Sequence, residues 1–389
     1  DVEMIKGYSS KSMPDADLYI IGNALSRGNE CVEYILDNQL PFRSGPEMLG
    51  EILKSRKVLA ISGTHGKTTT SYMLAHIFLN QGRDIGFLVG GVSKDIKGSA
   101  SLGTDSTFVI EADEYDSAFF DKRSKFIHYS PSSLVINNIE FDHADIFDHL
   151  DDIKRQFHHL IKIIPSSGEV IYFSDDKNSK DVISKGLWCK STVIDGNEIK
   201  ISFEEQELQY EGTSYSLAEL PLIGQHNFKN YIAAILAAKT DDIAINDSIE
   251  SLKSFSGVKR RLEYKGKFSN IHLYDDFAHH PTAIMFSSQA IRAKYPEKKI
   301  LGLIELGSNT MSGGSHGLEL LNTVSCLDKT VWLDHKNVLD GNNITSSDNI
   351  ENFINQTKSI ISEYDIILLM TNKDSHKILK PLISYLEKK

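Results

Sequence analysis

The chain has 389 residues, 40% of them hydrophobic and 24% charged, enough for two or three domains with more than one buried core. A net charge of −11 with no basic tail excludes a nucleic-acid partner, and no apolar run approaches the ~18–20 residues of a membrane span. Cys31, Cys189 and Cys326 are widely separated, which argues against a disulfide framework or a cysteine zinc site and fits a reducing cytoplasm.

In chain order, apolar and often β-branched runs predict strands over residues 18–21, 58–61, 108–110, 134–136, 170–173, 271–274, 300–304, 331–333 and 366–370. Helical periodicity falls at 71–80, 153–164, 227–238, 281–293 and 376–386. Continuous apolar strands between helices imply parallel sheets covered on both faces, an α/β class. Residues 1–53 read as the tail of a domain, 54–254 as a central domain and 255–389 as a third with its own doubly wound sheet. The polar stretch from Trp188 to Leu220 reads as an antiparallel excursion. The chain opens Asp1-Val2-Glu3-Met4 with no secretory signal.

Six segments carry chemistry. Gly63-Thr64-His65-Gly66-Lys67-Thr68-Thr69-Thr70 lies between a strand and a helix, as a phosphate cradle does. Glycine-freed N–H groups face the anion, Lys67 reaches the β- and γ-phosphates, and the Thr68 hydroxyl sits on Mg²⁺, so the ligand is ATP. Glu111-Ala112-Asp113-Glu114-Tyr115-Asp116 ends the next strand and is either a solvated acidic loop or a Mg²⁺ site, with Glu111 the ligand ahead of Asp113 and Glu114. Asn137-Asn138-Ile139-Glu140-Phe141-Asp142-His143 ends another strand; His143, between Asp142 and Asp145, is a metal ligand, an acid/base, or a surface histidine. Tyr274-Asp275-Asp276-Phe277-Ala278-His279-His280-Pro281 is a second strand-to-helix turn dense in acids and histidines. Gly224-Gln225-His226-Asn227 precedes an alanine-rich helix; Asn227 reads as its N-cap, or together with His226 as a contact to the nucleotide base. Arg261, in Lys259-Arg260-Arg261, is either solvated or a clamp on a transferring phosphoryl group.

These blocks, in this order, resemble the Mur ligases, the ATP-dependent amide-forming enzymes of peptidoglycan assembly. The resemblance implies three domains, the first a truncated Rossmann-like unit, since the chain starts beyond the glycine-rich turn that would hold a UDP diphosphate. It is strongest to the branch that adds a tripeptide rather than L-alanine. The implied substrates are ATP, UDP-N-acetylmuramate and the murein tripeptide L-alanyl-γ-D-glutamyl-meso-diaminopimelate. By position, Lys67 and Thr68 hold phosphate and Mg²⁺, Glu111 ligates Mg²⁺ and His143 a second Mg²⁺. His226 and Asn227 lie near adenine, Arg261 approaches the phosphates, and Asp276 and His279 reach the nucleotide from the third domain. Asn23 and Ser26 would lie near the UDP-sugar, Asn138 would contact substrate, and Ser308, Asn309 and Thr310 would face the peptide. The resemblance leads one to expect an arginine where the chain has Gly307, and a glycine-rich loop where Asn372 runs into Lys373. His158 stands where several Mur ligases carry a metal-bridging lysine.

Overall fold

In Lys57-Val58-Leu59-Ala60-Ile61-Ser62 every residue after the first is buried, and the six form a strand at the centre of a seven-stranded sheet. Both faces of this sheet are covered, which is why the run is apolar without alternation. Leu59 and Ile61 pack with the helices Lys67–Asn80 and Gln225–Lys239 on one side, while Val58 and Ala60 pack with Leu150–Lys162 on the other. The computed structural model describes residues 2–314, 319–339 and 344–388.

The order across this sheet is Lys190–Ile194, Glu169–Phe173, Ser133–Ile136, Lys57–Ser62, Thr107–Glu111, Gly86–Leu88 and Ala100–Ser101. All pairs are parallel except the last. Connections diverge on the two sides of Lys57–Ser62, so a crevice opens at the carboxyl ends of the three central strands. Ile61 registers with Glu111, and Ser62 with Ile136, which brings the three strand-end clusters together.

A second sheet of six strands follows, ordered Glu263–Phe268, Ile271–Asp276, Ile366–Met370, Ile300–Glu305, Lys329–Leu333 and Ser346–Ser347, with only the first pair antiparallel. Tyr19–Ile21 and Phe42–Ser44 form a separate two-stranded parallel pair. That small unit meets the rest through Phe42 edge-on to Phe120 at 5.0 Å, and through Gly50, where a Cβ would lie 2.2 Å from the His128 carbonyl oxygen.

The antiparallel excursion begins later than the sequence suggests. Lys190–Ile194 is a parallel edge strand of the central sheet, and only Ile199–Ser202, Glu207–Tyr210 and Thr213–Ser216 form an antiparallel sheet. The helix Gly45–Leu53 was readable: Ser44 and Glu47 make a reciprocal capping box with Pro46 in the first turn. Asn227 is not an N-cap; Gly224 holds that position at φ 95°, and Asn227 is buried within the first turn. Among the described residues no helix is long and apolar enough to cross a membrane.

Phe157 is fully buried with its ring 5.5 Å from Phe126 under the central sheet. Phe157→Ala should destabilise this layer by about 3–5 kcal/mol, read as a lower urea midpoint at unchanged slope.

Candidate active site

The phosphate loop is shaped by two glycines and held by its neighbour. Gly63 sits at φ 125°, where a Cβ would lie 2.9 Å from both the N and O of Asn138. Thr64 N–H donates to Asn138 O at 3.0 Å and His65 N–H to Asn138 Oδ1 at 2.8 Å. Gly66 caps the helix at φ 81°. Thr70 N–H closes the first helical bond, to Gly66 O at 2.9 Å, so the N–H groups of Lys67, Thr68 and Thr69 emerge from the helix end. A buried relay ties the loop to the next helix: Asn137 Nδ2 to Thr70 Oγ1 at 3.1 Å, Thr70 Oγ1 to Asn230 Oδ1 at 3.1 Å, and Asn230 Nδ2 to Asn227 Oδ1 at 3.2 Å.

Two acidic clusters face this loop. Thr68 Oγ1 donates to Glu111 Oε1 at 2.8 Å, and Glu111 Oε2 accepts from Gly90 N–H at 2.7 Å. Lys67 Nζ lies 2.9 Å from Glu114 Oε2 and 3.6 Å from Asp113 Oδ1, and His143 Nε2 lies 3.2 Å from Glu114 Oε1. Burial opposes the charged form of Lys67, but Glu114 and Asp113 outweigh it and hold the ammonium above its ordinary range. Burial likewise opposes the Glu114 carboxylate, and Lys67 and His143 together hold it well below the usual carboxylate range. His143 is raised by the same balance, with Glu114 overcoming desolvation. His143 thus partners Glu114, with Asp113 close by, while Glu111 partners Thr68. Of the four acids at this strand end, the fold gives Glu111 to one site and Asp113 and Glu114 to the other, while Asp116 pairs with Lys122.

The six-stranded sheet contributes from across the crevice. Arg261 Nη2 donates to Thr68 Oγ1 at 3.3 Å, with its guanidinium 4.9 Å from the Phe277 ring centroid. Arg260 and Leu262, on either side, have φ 58° and 49°, left-handed values unfavourable for such side chains. Asp276 holds this turn: one carboxylate oxygen accepts from Leu262 N–H and the other from Ala278 N–H, the latter at 2.7 Å. Asp276 therefore shapes the turn that presents Arg261. His279 Nδ1 is 2.8 Å from Phe277 O, and burial pushes the imidazole down to about 4, so it is neutral. Thr310 Oγ1 donates to Asp142 Oδ1 at 3.1 Å, and Ser308 Oγ caps the short helix beginning at Asn309.

Lys67, Thr68, Glu111, Asp113, His143, Arg261, Asp276 and His279 line one cavity of about 620 Å³, whose wall also includes Phe173, His226, Ser308, Asn309, Thr310 and Lys373. His226 stacks on Phe286 with ring centroids 5.9 Å apart and planes at 11°. Phe286 and Phe173 carried no signal in the sequence beyond ordinary core residues. Asn138 also lines the cavity, but its carboxamide oxygen serves the phosphate loop. Asn23 and Ser26 are exposed and outside the cavity lining. Half-buried His158 lies 6.1 Å from Trp188 on the Leu150–Lys162 helix and outside the cavity lining. A Cβ at Gly307 would lie 2.3 Å from Asn372 Oδ1 and 3.0 Å from Lys373 Cγ, so Gly307 and the Asn372–Lys373 turn are two halves of one close contact.

The profile of the Mur ligase middle domain matches residues 61–238. The UDP-N-acetylmuramate–L-alanyl-gamma-D-glutamyl-meso-2,6-diaminoheptandioate ligase of Escherichia coli K12 is 44% identical over 322 residues, covering 80% of this chain and 70% of that protein. The UDP-N-acetylmuramate–L-alanine ligase of Clostridium acetobutylicum is 32% identical over 411 residues, covering 98% of this chain and 88% of that protein. The crystal structure of a murein peptide ligase from Psychrobacter arcticus superimposes with a TM-score of 0.72 at 33% identity, covering 96% of this chain and 86% of that one.

Burial alone pushes His226 down to about 4 from 6.5. The native state therefore refuses a proton that the unfolded chain takes up, and stability complete above pH 6.5 is lost as pH falls to about 4. His226→Phe should remove its share of that acid sensitivity, at most about 3 kcal/mol, in urea unfolding compared near neutrality and in mild acid.

Proposed function

The chain belongs to the Mur ligase family, and on that premise we propose that it joins UDP-N-acetylmuramate to the tripeptide L-alanyl-γ-D-glutamyl-meso-diaminopimelate with ATP. The observation that carries the reading is the reach of Arg261 to Thr68 across the crevice, 3.3 Å. It makes a phosphoryl-transfer site out of two sheets, with room beside it for a second anion. The tripeptide is preferred to L-alanine as acceptor because the identity to the tripeptide-adding ligase, 44%, exceeds the 32% to the L-alanine-adding one.

In this reading the lactyl carboxylate of the UDP-sugar takes the γ-phosphoryl group and releases ADP. The amine of the tripeptide then displaces phosphate from the acyl carbon and loses a proton. A carboxylate is a poor acyl donor, and phosphorylation supplies the leaving group. Two anions must meet, so the residues here have to offset their repulsion. The N–H groups of Lys67, Thr68 and Thr69 and the turn Gly63-Thr64-His65-Gly66 bind the phosphates. Lys67 exchanges Glu114 for phosphate oxygens, and Arg261 faces them from the other sheet. The His226–Phe286 stack holds the adenine, with Asn227 and Asn230 fixing the helix start beneath it. Asp276 and His279 act on the ribose side by shaping the wall.

The oxygen donors of Thr68, Glu111, Asp113 and Glu114 fit Mg²⁺, which favours hard oxygen ligands, and His143 adds one nitrogen to them. The hydroxyl of Thr68 with Glu111 would hold one ion, and His143 with Glu114 and Asp113 a second. Bound there, Mg²⁺ supplies charge neutralisation on the phosphates. Ser308, Asn309, Thr310 and Lys373 offer the peptide a polar wall of the cavity, and Asn23 and Ser26 are left as contacts to the UDP-sugar from the first segment. We take 1–53, 54–254 and 255–389 as three domains whose closure assembles the site, and peptidoglycan recycling in the cytoplasm as its setting.

Phosphate release should require UDP-N-acetylmuramate and tripeptide together. Release with L-alanine in place of tripeptide would move the chain to the L-alanine ligases, and full release with neither would make it a simple ATPase. Arg261→Ala should lower kcat about 100- to 1000-fold with little change in nucleotide affinity, and Lys67→Ala should abolish both turnover and tight nucleotide binding.

A further inference from the structure

The resemblance puts Thr310 against the peptide, yet its hydroxyl bonds to the loop that carries His143, beyond the Ser133–Ile136 strand. Resting on the metal sites proposed above, we infer that Thr310 and Asp142 are a positioning pair. They set the direction of His143 toward its Mg²⁺ site, so that docking of the six-stranded sheet completes that site.

The pair ties down the backbone on both sides of His143. Asp142 Oδ1 accepts from the His143 N–H at 2.7 Å and from Thr310 Oγ1 at 3.1 Å. Thr310 Oγ1 in turn accepts from the Ala144 N–H at 3.4 Å. A hydroxyl has one proton to donate, and here Asp142 receives it. The His143 carbonyl oxygen accepts from the N–H groups of Ile146 at 2.9 Å and Phe147 at 3.0 Å. Peptide groups are planar, so holding the planes before and after His143 sets both of its backbone dihedrals. That backbone needs holding, since its φ of 58° is a left-handed value uncommon outside glycine. The imidazole so directed meets Glu114 Oε1 at 3.2 Å and the Tyr115 ring at 4.2 Å between centroids. Asp142 and Thr310 are both buried, so water is a poor substitute for either partner.

Thr310 follows the Ile300–Glu305 strand of the six-stranded sheet, in the short helix Asn309–Ser312 that Ser308 caps. The link from Thr310 to Asp142 therefore spans the crevice. Two more residues from that side grip the same loop. His280 Nε2 lies 3.1 Å from the Phe141 carbonyl oxygen, and Thr282 Oγ1 donates to Glu140 Oε2 at 2.6 Å. Those bonds act on Glu140 and Phe141, ahead of the His143 turn, so they dock the loop while Thr310 and Asp142 set the histidine. The supporting hydrogen bonds around a metal ligand are what orient it and tune its affinity.

The test titrates Mn²⁺ into the full chain holding a non-hydrolysable ATP analogue, with bound ion read from loss of the free-ion EPR signal. Wild type should hold two Mn²⁺, and His143→Asn should weaken one of them. Thr310→Val, which keeps the shape and removes the hydroxyl, should weaken the same ion roughly 10–100-fold. Thr310→Ser should restore it, Thr282→Val should leave it unchanged, and the KM for tripeptide should not move in Thr310→Val. The inference is overturned if Thr310→Val binds both ions as wild type does, or if Thr310→Ser fails to restore the lost affinity. It is overturned too if Thr282→Val weakens the ion equally, which makes docking alone the cause. A raised tripeptide KM with unchanged Mn²⁺ binding makes Thr310 a peptide contact instead. If circular dichroism shows Thr310→Val misfolded, Asp142→Ala decides by the same titration. If His143→Asn leaves both ions in place, the metal role of His143 falls and this inference with it. If His143→Asn weakens one ion and Thr310→Val does not, only this inference falls.

Discussion

A charged ammonium kept inside the protein is the constraint around which the site is built. Lys67 is largely buried, its side chain 11% exposed, because it starts a helix that is itself buried nearly all round between the central sheet and its neighbours. Burying that charge without partners would cost several kcal/mol. Glu114 and Asp113 answer it, and Glu114, itself buried, then needs His143 as well as Lys67. Each ion is tolerable only because the others are there. In the proposed reading, an incoming phosphate would offer Lys67 the negative charge that Glu114 now supplies.

Strain and rigidity are distributed accordingly. The phosphate loop is braced by the Asn138 backbone and side chain and by the relay through Asn137, Thr70, Asn230 and Asn227, so its N–H groups are positioned before any anion arrives. Across the crevice, Arg261 sits between two left-handed residues held by Asp276. Left-handed backbone at Arg260 and Leu262 persists because Glu263, Asp276 and the Phe277 N–H hold the turn by hydrogen bonds. The contacts of Thr310 with Asp142 and of Thr282 with Glu140 join the sheets beside it, so the polar groups that close the crevice also define its walls.

Much of this was legible in the chain. Long apolar runs marked the strands of both principal sheets because each is covered on two faces, and burial on both faces leaves no room for polar alternation. The phosphate loop was legible because glycine at Gly63 and Gly66 is needed by backbone conformation, whatever the tertiary setting. Less legible were elements whose signals are short. The capping box at Ser44 and Glu47 was present but slight, and Lys190–Ile194 looked like the antiparallel strands after it because an edge strand is only partly covered. Asn227 had the chemistry of a cap, yet Gly224 took the position and left Asn227 to be buried in the relay.

The sequence by itself determined which chemistry is available: a phosphate-binding turn, three carboxylate-rich strand ends and arginines beyond them. These are local facts, set by strand-to-helix transitions and by residues that only a turn of given geometry admits. The tertiary structure decided the pairing. It gave Glu111 to Thr68 and Glu114 to Lys67 and His143, gave Asn138 and Asp276 hydrogen bonds that hold neighbouring loops in addition to their places in the cavity wall, and brought Phe286 under His226. It also set Gly307 against Asn372 and left Asn23 and Ser26 outside the cavity. Those outcomes depend on strand register, helix crossing and contact between sheets far apart in the chain, and no local pattern encodes the distance between two side chains that only folding brings together.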